Sequence, residues 1–216
     1  QGAAAMKMHK SIHLDELLKI ATHHEVINIA DEVMTGFGKT GKNFASEFMS
    51  NMPDIICLSK SLTGGLVPMA ITSCTEKIYN AFLSSKMENG FFHGHTYSAN
   101  PTSCTAAIAS IELLMSEEIQ NSIDRIKASH KSFIEKINDH PKVKDTRQQG
   151  IIVAIDFNIE TDRYGDLRHK LYDFYMNKGV YLRPLGNTVY ILAPYIISNE
   201  QLSKIYKTIE QSFDII

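Results

Sequence analysis

The sequence predicts an α/β fold, a mostly parallel sheet with flanking helices, followed by a smaller α+β unit. Three observations carry this. Short runs that are apolar nearly throughout, residues 25–30 and 55–58, read as strands buried on both faces of a sheet. Segments with apolar residues at helical spacing alternate with them, as helices covering such a sheet do. From Gly150 the order changes to strand, helix, two strands and helix, which marks a second domain. The boundary falls near Pro141, giving a larger part over residues 1–140 and a small domain over 141–216.

The elements follow in chain order. A helix opens at Ser11 as its N-cap, with Leu14, Leu17, Leu18 and Ala21 on one face. The strand over 25–30 ends at Asp31-Glu32, and a Gly-rich turn occupies 36–41. A short helix over 44–49 precedes Pro53-Asp54 and the second strand, which ends at Ser59-Lys60 with Gly64-Gly65 just beyond. Residues 69–74 form a third strand and 91–97 a loop. An Ala-rich helix spans 106–115, and Ile119, Ile123, Ile126, Phe133, Ile134 and Ile137 form the stripe of another, closed by His140-Pro141. In the second domain a strand covers 151–155 and a helix runs over 167–178 to Gly179. Strands at 180–185 and 188–192 are joined in a hairpin at Gly186-Asn187. Ser198 with Gln201 is a capping-box signature for the last helix.

Composition narrows the function classes. Of 216 residues, 44% are apolar and 21% charged, ordinary for a chain with a real core. The formal net charge is −2 and no basic tract exceeds Lys142-Val143-Lys144, which disfavours nucleic acid and anionic membrane as partners. No apolar run approaches the ~18–20 residues of a membrane helix, and no secretory signal is present. Cys57, Cys74 and Cys104 are too few and too widely spaced for a disulfide framework or a zinc site. They read as buried free thiols of a cytoplasmic protein.

Two nucleotide motifs overlap in the Gly-rich turn. Gly36-Phe37-Gly38-Lys39-Thr40-Gly41 matches G-x-G-x-x-G, but five residues separate it from the strand end, where a dinucleotide fold needs the turn itself. Residues 36–42 match G-x-x-x-x-G-K, but Asn43 stands where a P-loop needs Ser or Thr for the metal. A non-catalytic nucleotide-binding module over 36–42 therefore remains the rival from another class.

Asp31 and Lys60 end two strands at the carboxyl edge, where open α/β sheets bind ligands. Either could be an ordinary solvated charge. Together they suit pyridoxal phosphate, which needs a lysine to form a Schiff base and an acid to keep its pyridine nitrogen protonated.

Here the sequence resembles a known family. Ile29-Ala30-Asp31-Glu32-Val33, Thr35-Gly36-Phe37-Gly38-Lys39-Thr40-Gly41, Pro53-Asp54-Ile55 and Leu58-Ser59-Lys60-Ser61-Leu62-Thr63-Gly64-Gly65 look like the class III aminotransferases of fold type I. Phe92-His93-Gly94-His95-Thr96-Tyr97, Asn100-Pro101, Tyr181-Leu182-Arg183-Pro184-Leu185-Gly186 and Val189-Tyr190-Ile191-Leu192-Ala193-Pro194-Tyr195 extend the likeness over essentially the whole chain. They point to a branch that makes 7,8-diaminononanoate for biotin from 8-amino-7-oxononanoate, with S-adenosylmethionine as expected amino donor and lysine as the alternative. An ornithine or ω-amino-acid transaminase of the same class is the nearer rival.

The resemblance implies roles for matching positions. Lys60 would bind the cofactor aldehyde, touch substrate and shuttle the proton. Asp31 would pair with the ring nitrogen. Thr96 and the His95 backbone would hold the cofactor phosphate from the partner subunit of a homodimer. Gly94 would lie against substrate, Arg183 would clamp its carboxylate, and Tyr190 would contact it. No metal is expected, since His93 and His95 have no sensibly spaced third ligand. Glu32 is either a supporting acid or a solvated charge. Family members are longer and carry a phosphate cup and a ring-stacking aromatic that have no counterpart here. With Gln1 in first place, the chain reads as a C-terminal half whose independent folding and activity are open.

Overall fold

The computed structural model describes residues 1–216. They form two compact units, one of His9–Ser116 and one of Gln1–Met8 with Glu117–Ile216.

In the first unit, α1 (Ser11–His23) leads into β1 (Ile29–Asp31), β2 (Ile55–Leu58) and β3 (Ile71–Cys74), followed by α2 (Glu76–Phe82) and α3 (Pro101–Met115). The sheet order is β1-β2-β3. β1 and β2 are parallel with Asp31 opposite Cys57, while β3 runs antiparallel to β2 with Cys57 opposite Thr72. Lys10, not Ser11, is the N-cap of α1. Asp15 on that helix accepts from the Ser50 and Asn51 amides at 2.9 and 2.7 Å and so holds the loop before β2. The segment expected as a short helix at 44–49 is a 3-10 turn, Ala45–Phe48. α3 begins five residues earlier than its Ala-rich run suggests: Asn100 caps it, accepting from the Ser103 amide at 2.9 Å, and Pro101 fits the first helical position.

The expectation of strands covered on both faces does not hold within this chain. All four residues of β3 are exposed, Ile29 on β1 is 64% exposed, and α1 buries no residue. Apolar character shows that a strand can be buried, but the covering surface must also be present. The three thiols follow suit: Cys57 and Cys104 are half-buried and Cys74 is exposed.

The second unit contains α4 (Glu117–Ile137), β4 (Val143–Gln149), β5 (Ile152–Phe157), α5 (Asp166–Asn177), β6 (Thr188–Leu192) and α6 (Asn199–Ser212). Its sheet is antiparallel in the order β4-β5-β6. Residues Ile151 to Ile155 and Phe157 are nearly inaccessible, which makes β5 the centre of the core. α4 lays Ile123, Ile126, Phe133 and Ile137 inward, and Phe133 stacks on Tyr206 of α6 at 4.3 Å. That packing divides the units at Ser116 and Glu117, upstream of the boundary read near Pro141.

Two further differences concern pairing. β4 carries mostly polar residues and gave no apolar alternation, yet it pairs along β5. The expected hairpin of 180–185 with 188–192 does not form; only Leu185 bridges Thr188, and β6 pairs with β5 instead. β5 offers a buried apolar partner, Val153 opposite Ile191, that the Pro184-containing segment cannot match. The capping box forms as read: Gln201 N donates to Ser198 Oγ at 3.2 Å and Ser198 N to Gln201 Oε1 at 2.9 Å.

The amino-terminal segment is tied to this unit by arginines. Arg147 donates through Nε to Met6 O at 3.0 Å and through Nη2 to Ala5 O at 2.6 Å, and it forks onto both oxygens of Asp156 at 2.8 and 3.0 Å. Arg163 reaches Ala3 O at 2.7 Å.

Candidate active site

The carboxyl ends of β1 and β2 bring Asp31 and Lys60 to one edge of the sheet. Their strands are parallel neighbours, roughly 4.8 Å apart, and Cys57, the register partner of Asp31, precedes Lys60 by three residues. Asp31 is exposed and accepts the Val33 amide at 3.0 Å. Lys60 is exposed and opens the 3-10 turn Lys60–Thr63 in a left-handed conformation, φ +45°. A residue with a side chain rarely sits there, and such positions persist where the surroundings over-determine them. The turn is anchored by buried Leu62 and Thr63 and ends at Gly64, φ +64°, where glycine adopts the left-handed form without penalty. Ser59 Oγ ties it to Met69 O at 2.7 Å and Thr63 Oγ1 to Val67 O at 2.6 Å.

Glu32 is neither solvated nor idle. It is 2% exposed, and its carboxylate accepts the Ser46 amide at 2.6 Å, the Ala45 amide at 2.9 Å and Thr35 Oγ1 at 2.6 Å. One buried acid therefore organises the Gly-rich turn. A Cβ on Gly36 would stand 3.0 Å from Glu32 O, so a side chain there would press on that carbonyl.

The same turn rules out the nucleotide cradle. Its three glycine amides are spent internally: Gly36 N on Glu32 O, Gly38 N on Asn43 O and Gly41 N on Gly38 O. Lys42 donates to Glu47 O at 2.7 Å and lies 4.7 Å over the Phe48 ring. A phosphate-binding loop needs those amides and that ammonium turned toward the ligand. Burial lowers the pKa of the neighbouring Lys39.

Gly94, His95 and Thr96 lie in an exposed loop of the same unit. His95 N donates to Ser98 Oγ at 3.2 Å, Tyr97 N to His95 Nδ1 at 3.1 Å and Ser98 N to His95 O at 2.9 Å. The nearest atom to a Cβ built on Gly94 is Ser98 Oγ at 3.9 Å, so the surface there is open. No three His, Cys, Asp or Glu side chains converge to hold a metal ion.

Arg183 and Tyr190 belong to the second unit. Arg183 is exposed between buried Leu182 and Pro184, and its guanidinium makes no ion pair within the chain. Tyr190 is half-buried on β6, opposite Ala154 of β5. Two concavities in this unit lie elsewhere, one along α6 lined by Lys178, Ser203, Lys204 and Lys207, the other lined by Ala4, Arg163 and Asn187.

By donor chemistry the first unit fits pyridoxal phosphate: a carboxylate and a primary amine stand on adjacent parallel strand ends. Sequence reasoning missed the depth of Glu32, although an acid directly before a Gly-rich turn is its signal. It also missed Ser110 on α3, whose hydroxyl donates to Ser61 O at 3.1 Å and for which the sequence carries no signal.

Comparison with known proteins agrees with this chemistry. Residues 1–213 match the family described as aminotransferase class-III. The chain is 41% identical over 99% of its length to the adenosylmethionine-8-amino-7-oxononanoate aminotransferase of Synechococcus elongatus, and 34% identical to that of Buchnera aphidicola from Schizaphis graminum. It spans about half the length of these relatives, 50% and 48%. The crystal structure of the Methanocaldococcus jannaschii enzyme of that name superposes with a TM-score of 0.86 at 31% identity, covering 97% of this chain and 51% of that one. No helix is long and apolar enough to cross a membrane.

Proposed function

The chain belongs to the class III aminotransferases, a pyridoxal-phosphate-dependent family, and on that footing we propose that it carries the lysine and the ring-nitrogen acid of a transaminase making 7,8-diaminononanoate from 8-amino-7-oxononanoate. S-adenosylmethionine is the proposed amino donor, and the setting is a cytoplasmic homodimer in biotin synthesis. The observation that carries the reading is the placement of Asp31 and Lys60 on the carboxyl ends of adjacent parallel strands.

When bound, the protonated pyridine ring supplies an electron sink for the substrate carbon. Asp31 holds the proton on the ring nitrogen through its negative charge. Lys60 would hold the cofactor through its amine and would serve as the base that moves a proton at the substrate carbon. Lys60 is exposed and makes no ion pair within the chain. Thr96 and the His95 backbone would hold the phosphate across the dimer, Gly94 would let substrate approach closely, Arg183 would fork onto the substrate carboxylate and Tyr190 would contact the chain beside it.

The test is product analysis with the protein made from the complete reading frame and loaded with pyridoxal phosphate. Incubated with 8-amino-7-oxononanoate and S-adenosylmethionine, it should yield 7,8-diaminononanoate by mass spectrometry. Turnover of ornithine or an ω-amino acid, with no conversion of 8-amino-7-oxononanoate by either S-adenosylmethionine or lysine, would assign a different substrate.

A further inference from the structure

Lys60 sits in a conformation that its own turn does not fully explain. Leu62 N bonds to Ser59 O and Gly64 N to Ser61 O, both local closures of the 3-10 turn. Ser59 and Thr63 tie the turn forward to Met69 and Val67, again nearby in sequence. The hydroxyl from a distant element is that of Ser110 on α3, 49 residues from Ser61, donating to Ser61 O at 3.1 Å. That carbonyl then accepts two donors, Ser110 Oγ and the Gly64 amide at 3.0 Å. The face of α3 that approaches the turn is small, with Ser103 and Ala107 buried, and a Cβ on Gly64 would already meet Ser110 Oγ at 3.6 Å.

We propose that Ser110 is a positioning residue: its bond to Ser61 O holds the left-handed turn that presents the Lys60 amine at the strand edge beside Asp31. The inference rests on the reading of Lys60 as the cofactor lysine. Without the bond, Ser61 O keeps only its local partner, and the turn can relax toward ordinary φ values, moving Lys60 from its place at the strand edge.

The experiment compares Ser110→Ala and Ser110→Thr in the protein made from the complete reading frame. Alanine is the better helix former, so α3 persists in the first variant. The loss of one hydrogen bond should speed amide exchange at Gly64 about fivefold in the cofactor-free protein, and lower kcat by a similar factor with KM for the amino acceptor unchanged. The pH titration of the cofactor's visible band should shift in Ser110→Ala and return in Ser110→Thr, which a merely structural role would not produce. Unchanged Gly64 exchange and an unchanged titration in Ser110→Ala overturn the proposal. If borohydride leaves Lys60 unlabelled, the functional reading falls by itself, and Gly64 exchange alone decides on the turn: acceleration upholds the positioning and its absence overturns it.

Discussion

Glu32 Oε1 accepts the backbone amide of Ser46 at 2.6 Å, joining the end of β1 to the far side of the Gly-rich turn. The carboxylate is buried, and the Ser46 amide is buried with it, while its other two donors, Ala45 N and Thr35 Oγ1, are part-buried. Glu32→Ala should destabilise the protein by about 2–4 kcal/mol in urea unfolding, the scale for stranding donors of a charged buried acceptor. It should also open residues 36–46 to limited proteolysis. A loss under about 0.5 kcal/mol would mean that the turn holds itself.

His130 gives the second unit an acid-sensitive point. The ring is inaccessible, with Nδ1 2.7 Å from Tyr206 Oη and Nε2 without a well-formed partner. Burial pushes its pKa down from 6.5 to about 4, the Ile151 backbone opposing that only in part. The unfolded chain therefore binds the proton first as pH falls. Stability is fully present above pH 6.5 and is lost between there and about pH 4, by at most about 3 kcal/mol. Urea unfolding across that window should show the slope, and His130→Gln should flatten it. An equal slope in both proteins would assign the acid limb to carboxylates.

Arg147 is the clamp on the amino-terminal segment, with side-chain exposure of 18% against 23% for Asp156. Arg147→Lys keeps the charge but cannot fork onto Asp156 and reach the Ala5 and Met6 carbonyls together. It should cost about 2–3 kcal/mol, and amide exchange in residues 1–8 should accelerate. Full protection of that segment in the variant would show that packing of buried Met6 suffices.

Ala5 stands at φ +55°, ψ +45°, where a side chain pays a steric penalty of about 1–2 kcal/mol. Glycine removes that penalty but gains freedom in the unfolded chain, leaving a net stabilisation of about 0.5–1 kcal/mol for Ala5→Gly. Thermal unfolding of Ala5→Gly against Ala5→Val, which should lose stability, measures it.

The positions of the candidate residues were legible because they sit where local patterns speak. The apolar run over 55–58 is β2, while the run over 25–30 overlaps β1 only at residues 29 and 30; both nonetheless end where Asp31 and Lys60 share one edge. Ser198 and Gln201 announce their capping box because it closes within three residues. Pairing is decided at long range and was less legible. β4 has polar residues that pair only because β5 lies alongside, and residues 180–185 gave way to β5 as the partner of β6. Burial was misjudged at Cys57 and Cys74 because it depends on what covers the sheet, not on the strand's own residues. Ser110 carries no motif; its meaning appears only when α3 is seen against the carbonyl of Ser61.

The central claim is that Lys60 is the lysine that binds the cofactor. The direct measurement is reduction of the pyridoxal-phosphate-loaded protein with labelled borohydride, followed by peptide mapping. The account predicts label on the peptide containing Lys60 and none in Lys60→Ala. Label on a different lysine, or label kept in Lys60→Ala, would contradict it.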